Sequence, residues 1–109
     1  MSNSFHLALP AGNIETTEKF YTEILGCKTG NREKGKWVDI DFWGNELTLH
    51  QTKMKLPRER HDVEMGNVPV PRFGVHLEKE VLEQIKSSLK SKNISYSDKP
   101  YTRFKDPKF

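Results

Sequence analysis

Between Phe5 and Cys27 the apolar residues change their spacing, and no other feature constrains the fold as much. Phe5, Leu7 and Leu9 alternate with His6 and Ala8, the period of a half-buried strand that places the histidine opposite the leucines. Asn13 then stands where a helix N-cap belongs. Ile14, Thr17, Phe20, Tyr21, Ile24 and Leu25 follow at three- and four-residue steps, predicting a helix with one buried stripe that Gly26 stops. A strand feeding such a helix has one sheet face covered and the other free, and His6 falls on the free one.

The next segments extend the same sheet. Lys28 to Glu33 reads as a short polar strand, with Lys34-Gly35 turning into Trp37–Trp43. There Val38, Ile40 and Phe42 alternate with Trp37, Asp39, Asp41 and Trp43. Gly44-Asn45 predicts a tight turn into Glu46–Gln51, where Leu47 and Leu49 continue the core face while Glu46, Thr48 and His50 share the face of the aspartates. The order over 5–51 is β-α-β-β-β, with His6, Asp39, Asp41 and His50 lining the uncovered face.

Residues 52–68 contain Pro57, Gly66, Asn67 and the densest basic cluster, and read as an irregular connection. A second half opens at 69–78, where Phe73, Val75 and Leu77 alternate with Arg72, Gly74 and His76 as in a strand. A helix is predicted over 80–92, with Val81, Leu82, Ile85 and Leu89 on one stripe and Asn93 as its breaker, followed by a strand from Ile94 to Tyr96. His6-Leu-Ala-Leu and Arg72-Phe-Gly-Val thus both lead into a helix and then a strand, an internal repeat. The repeat is incomplete, because the second half still lacks a hairpin at Phe109.

Length and charge narrow the function classes. At 109 residues the chain is read as one domain, burying about 60–70% of its unfolded surface. Eleven aromatic side chains in six Phe, three Tyr and two Trp argue for a packed core. The net charge of +3 is spread among 15 carboxylates, and the Lys53, Lys55, Arg58, Arg60 cluster has no interleaved stacking aromatics, so no nucleic-acid partner is expected. One cysteine, Cys27, excludes an internal disulfide and makes the cytoplasm the expected compartment. No apolar run predicts a membrane span.

Taken together, His6-Leu-Ala-Leu-Pro, Phe20-Tyr21 followed by Ile24-Leu25-Gly26-Cys27, Trp37-Val-Asp-Ile-Asp-Phe-Trp-Gly44, Leu47-Thr-Leu-His50 and Val68-Pro-Val-Pro-Arg-Phe-Gly74 resemble the vicinal oxygen chelate superfamily. That superfamily groups glyoxalase I, bleomycin- and fosfomycin-resistance proteins and extradiol dioxygenases. The resemblance implies an α+β fold of paired β-α-β-β-β modules curled into a half-barrel. The first module would span 4–51, the connection 52–68, and an incomplete second module 69–109.

The resemblance also implies a divalent metal held by the first and fourth strands of each module. His6 matches the first ligand and His50 is taken as the second, with Glu46 in reserve. The third position is occupied by Arg72, which has no lone pair to offer a cation but suits an anionic ligand. His76 shares that face yet lies about 13 Å along the strand, too far for the same ion. Asp39 and Asp41 read as a polar sheet face or a source of one more ligand, and Trp37 as a surface for a planar ligand or a filler of the barrel mouth.

Two functions stay open. One is a metal-dependent lyase or dioxygenase using Zn, Ni, Mn or Fe on a small oxygenated molecule. The other is a metal-free protein that binds or sequesters a small molecule. Both expect a homodimer, since an open half-barrel leaves a sheet edge to be covered.

Overall fold

The computed structural model describes residues 3–54, 59–63, 66–70 and 72–94. Strand β1 (His6–Gly12) leads into helix α1 (Ile14–Lys19), then β2 (Lys28–Glu33), β3 (Trp37–Phe42) and β4 (Asn45–Gln51). These form one mixed, unclosed sheet in the order β1-β4-β3-β2, with β1 parallel to β4 and the other pairs antiparallel. The order of elements is the β-α-β-β-β expected from the sequence.

The predicted core face is the observed one. Val38, Ile40, Phe42, Leu47 and Leu49 are buried under Ile14, with Leu7, Leu9, Tyr21 and Cys27 packed around them. Asn13 caps α1 by accepting the Thr16 N–H at 3.0 Å. Past Lys19 the helix widens into a turn over Phe20–Ile24, closed by Leu25 N–H donating to the Phe20 carbonyl at 3.1 Å. Gly26 ends it with φ +78°, a conformation that costs a residue without Cβ little. The widened turn rotates Phe20 off the buried stripe, where it remains 40% exposed.

Three expectations are corrected. The turn between β3 and β4 is Trp43-Gly44, not Gly44-Asn45: Phe42 pairs with Asn45, and both intervening residues have positive φ, +47° and +86°. The irregular connection expected over 52–68 contains β5 (Glu59–Val63), paired antiparallel with β6 (Gly66–Val70). Gly66, Asn67 and Pro69 disguise this ribbon in the sequence, but a two-stranded ribbon has only edge strands, where proline is tolerated.

The third correction is that the segment 72–78, alternating like a strand, forms none. Alternation sets which way side chains point, whereas a strand also needs a ladder partner, and no described strand pairs with this segment. Its Phe73 and Val75 instead pack on the first module, Phe73 meeting Phe42 edge-on at 5.6 Å between ring centres. Helix α2 (Lys79–Ser91) follows as predicted, and Ser88 Oγ donates to the Ile24 carbonyl at 3.1 Å. The strand expected beyond Ile94 and the terminal tail lie outside the described residues. No described helix is long and apolar enough to cross a membrane.

Candidate functional site

The face of the sheet away from α1 is ordered in rows by the strand register. The first row runs from His6 on β1 through Glu46 on β4 and Asp41 on β3 to Lys28 on β2. The second holds Ala8, Thr48 and Asp39, and the third Pro10, His50 and Trp37. All the polar residues placed on this face by alternation are found on it, because a side-chain period of two leaves no other choice once Val38, Ile40, Leu47 and Leu49 are buried.

Alternation fixes the face but not the row, and the row decides which groups meet. His6 Nδ1 lies 2.9 Å from Glu46 Oε1, and both side chains are more than half exposed. His50 lies opposite Pro10, four residues further along β4, or about 13 Å from the first row. The register therefore does not bring the two imidazoles together, and it is the reserve candidate Glu46 that meets His6. The missing signal was the pairing of β1 with β4, which fixes the partner of His6 and cannot be read from either strand alone.

The remaining acidic groups hold local structure. Asp39 Oδ1 accepts the Thr48 hydroxyl at 2.7 Å, and Thr48 is buried although its row faces outward. Asp41 Oδ1 accepts the Gly44 N–H at 2.8 Å, holding the Trp43-Gly44 turn. Among the described residues no group of three or more histidine, cysteine, aspartate or glutamate side chains is placed to hold a metal ion.

Trp37 belongs to a different part of the molecule from His6. Its indole Nε1–H donates to Glu33 Oε2 at 3.0 Å, and Trp37 lines a groove with Asn13, Ile14 and Gln51 where the end of the sheet meets the start of α1. Arg72 and His76 are exposed in the segment before α2.

Among the described residues three groups have displaced proton affinities, Glu18, Tyr21 and Cys27. Burial pushes the Glu18 carboxyl up, but hydrogen bonds from Arg32 and Thr29 and the Arg32 charge hold it below its ordinary value. Burial, and then the neighbouring Cys27, raise Tyr21. Cys27, half-buried against the core, is itself raised by burial and by the Asp41 carboxylate, which opposes thiolate formation.

No family model and no curated protein sequence matches the chain. Among solved structures it is similar to the glyoxalase/bleomycin resistance protein/dioxygenase from Alicyclobacillus acidocaldarius, at 28% identity over 95% of this chain and 74% of that one, with a TM-score of 0.69. An integron cassette protein from the mobile metagenome of the Halifax Harbour sewage outfall is 24% identical over 84% of this chain and 72% of its own, with a TM-score of 0.60. Lactoylglutathione lyase from Agrobacterium tumefaciens is 20% identical over 96% and 79%, with a TM-score of 0.59. At these identities the last two share the fold.

Proposed function

Starting from the glyoxalase/bleomycin resistance/dioxygenase-type fold of this chain, in keeping with the vicinal oxygen chelate superfamily, we propose that it binds a small oxygenated molecule on the sheet face away from α1, with His6 and Glu46 as neighbouring ligands of a divalent metal ion. The observation that carries this reading is the 2.9 Å contact of His6 Nδ1 with Glu46 Oε1 on adjacent parallel strands. Two adjacent ligands of one ion, each bonded at about 2.1 Å, are separated by about 3.0 Å at a right angle and about 3.4 Å in a tetrahedron, so the pair needs to open by no more than about half an ångström to chelate. Two donors do not complete such a site, and the third is assigned to a second copy of the chain in a homodimer.

When bound, the ion supplies a Lewis acid for a carbonyl or hydroxyl oxygen of the substrate. Glu46 and His6 hold it at the sheet edge. In this reading Asp41, next in the same row and held through one oxygen by Gly44, would take up or return a proton through the other. The reaction class is that of a lyase or dioxygenase.

A metal-free binding protein is the second reading, favoured by a specific observation. His6 and Glu46 already satisfy each other, and Asp39 and Asp41 already hold Thr48 and Gly44, so the face is complete as a polar floor without an ion.

Elemental analysis and calorimetric titration with Ni²⁺, Zn²⁺, Mn²⁺ and Fe²⁺ decide between them. The enzyme reading expects saturable binding that is lost in both His6→Ala and Glu46→Gln and kept in His50→Ala. Absence of saturable binding to a dimeric protein overturns it in favour of the binder.

A further inference from the structure

At the end of the sheet remote from the His6–Glu46 row, a groove of 460 Å³ opens where the start of α1 meets the β2–β3 turn and the end of β4. That volume is within the usual range for small-molecule sites. Ile14 forms an apolar floor and Trp37 an apolar wall, with the indole pinned by its bond to Glu33.

The polar lining is biased toward donors, for a reason internal to the fold. Gln51 Oε1 accepts the Ile14 N–H at 3.0 Å, and Asn13 Oδ1 accepts the Thr16 N–H at 3.0 Å. A backbone N–H must be met by the oxygen of a side-chain amide, so both amides are locked in one orientation and each is left with its NH₂ end to offer. The Ile14 and Thr16 N–H groups are thereby met, and the amide NH₂ ends are the donors these two side chains offer the groove. Lys34, also on the lining, pairs with no carboxylate among the described residues.

Two glutamates line the groove as well. Glu18 is neutralised by its ion pair with Arg32 and by the Thr29 hydroxyl at 2.9 Å. Glu15 is exposed, and its carboxylate pairs with no cation of the lining.

We infer that this groove binds a small planar carboxylate, its flat apolar part against Trp37 and Ile14 and its carboxylate met by the amide NH₂ groups of Asn13 and Gln51 and by the Lys34 ammonium. The site is separate from the His6–Glu46 pair, so its occupation does not depend on a metal there.

Titration of ¹⁵N-labelled full-length protein with benzoate tests it. The Trp37 indole N–H and the NH₂ resonances of Asn13 and Gln51 are expected to shift on one saturable curve, the Trp43 indole to stay in place, and benzylamine to give no saturable shift. Gln51→Glu and Asn13→Asp each keep the oxygen that the backbone needs while replacing the donor by a charge, and each is expected to weaken benzoate binding by about tenfold or more. Lys34→Met, which removes no hydrogen bond of the fold, is expected to weaken it as well. The inference is overturned if benzoate gives no saturable shift, if benzylamine saturates the same resonances, or if the folded variants bind benzoate as tightly as the parent.

Discussion

Neighbouring residues on β4 should differ several-fold in what they contribute to stability. Leu47 is 1% exposed at the centre of the core, whereas the side chain of Glu46, one position before it, is 58% exposed. Leu47→Ala removes buried carbon and leaves a cavity between the sheet and α1, a change that costs about 2–5 kcal/mol. Glu46→Ala removes an exposed ion pair with His6, worth about 0–1 kcal/mol.

A chain of this length has a total stability of about 5–15 kcal/mol, so the first loss is a large share of it. With a urea slope of about 1–3 kcal/mol per molar, a loss of 3 kcal/mol moves the unfolding midpoint by about 1–3 M. Urea unfolding followed by circular dichroism should show that displacement for Leu47→Ala and, at the same slope, a shift smaller by about threefold or more for Glu46→Ala. If Leu47→Ala does not fold, Leu47→Val should show the same ordering at smaller amplitude. Equal shifts, or a larger one at Glu46, would refute the register, since a slip of one residue exchanges the two faces.

Three further outcomes are expected. At Trp43, whose φ is +47°, Trp43→Asn should be more stable than Trp43→Val by about 1–2 kcal/mol in urea unfolding, since a β-branched residue tolerates the left-handed region worst; equal stabilities would show that the turn conformation is not limiting. The Glu18 carboxyl is held below its ordinary value by Arg32 and Thr29, so its stabilisation is present above the ordinary carboxylate range and lost as pH falls through the depressed folded pKa; the stability gap between the parent and Glu18→Gln should be constant near neutrality and close in acid, and a gap independent of pH would contradict this. Cys27, with its raised pKa, should react with a disulfide reagent at pH 8 far more slowly in the folded protein than in urea, and equal rates would contradict its burial.

Where a residue's neighbours along the chain determine its environment, the sequence was sufficient. The change of spacing at Asn13 located the first strand and helix, and the alternation over 37–51 separated Val38, Ile40 and Leu47 from Asp39, Asp41 and His50. The superfamily resemblance carried by those segments agrees with the fold of the Alicyclobacillus acidocaldarius protein.

What local pattern could not supply was pairing between distant strands. His6 and His50 share a face, but only the parallel β1–β4 register reveals that His6 is beside Glu46. The same limit explains 72–78, where alternation predicts a strand but no described strand supplies the ladder. The α1 groove was hidden for a related reason: Asn13 and Gln51 are 38 positions apart, and only the fold turns their amides into a common set of donors.

The most direct test of the site concerns which imidazole responds to a metal. Long-range ¹H–¹⁵N spectra of the histidine rings, recorded while Zn²⁺ is added to one equivalent per chain, should show the His6 ring nitrogens shifting and those of His50 unmoved, with the His6 response abolished in Glu46→Gln. Joint displacement of the His6 and His50 rings by the same equivalent of Zn²⁺, or a response at His50 alone, would contradict the pairing of His6 with Glu46.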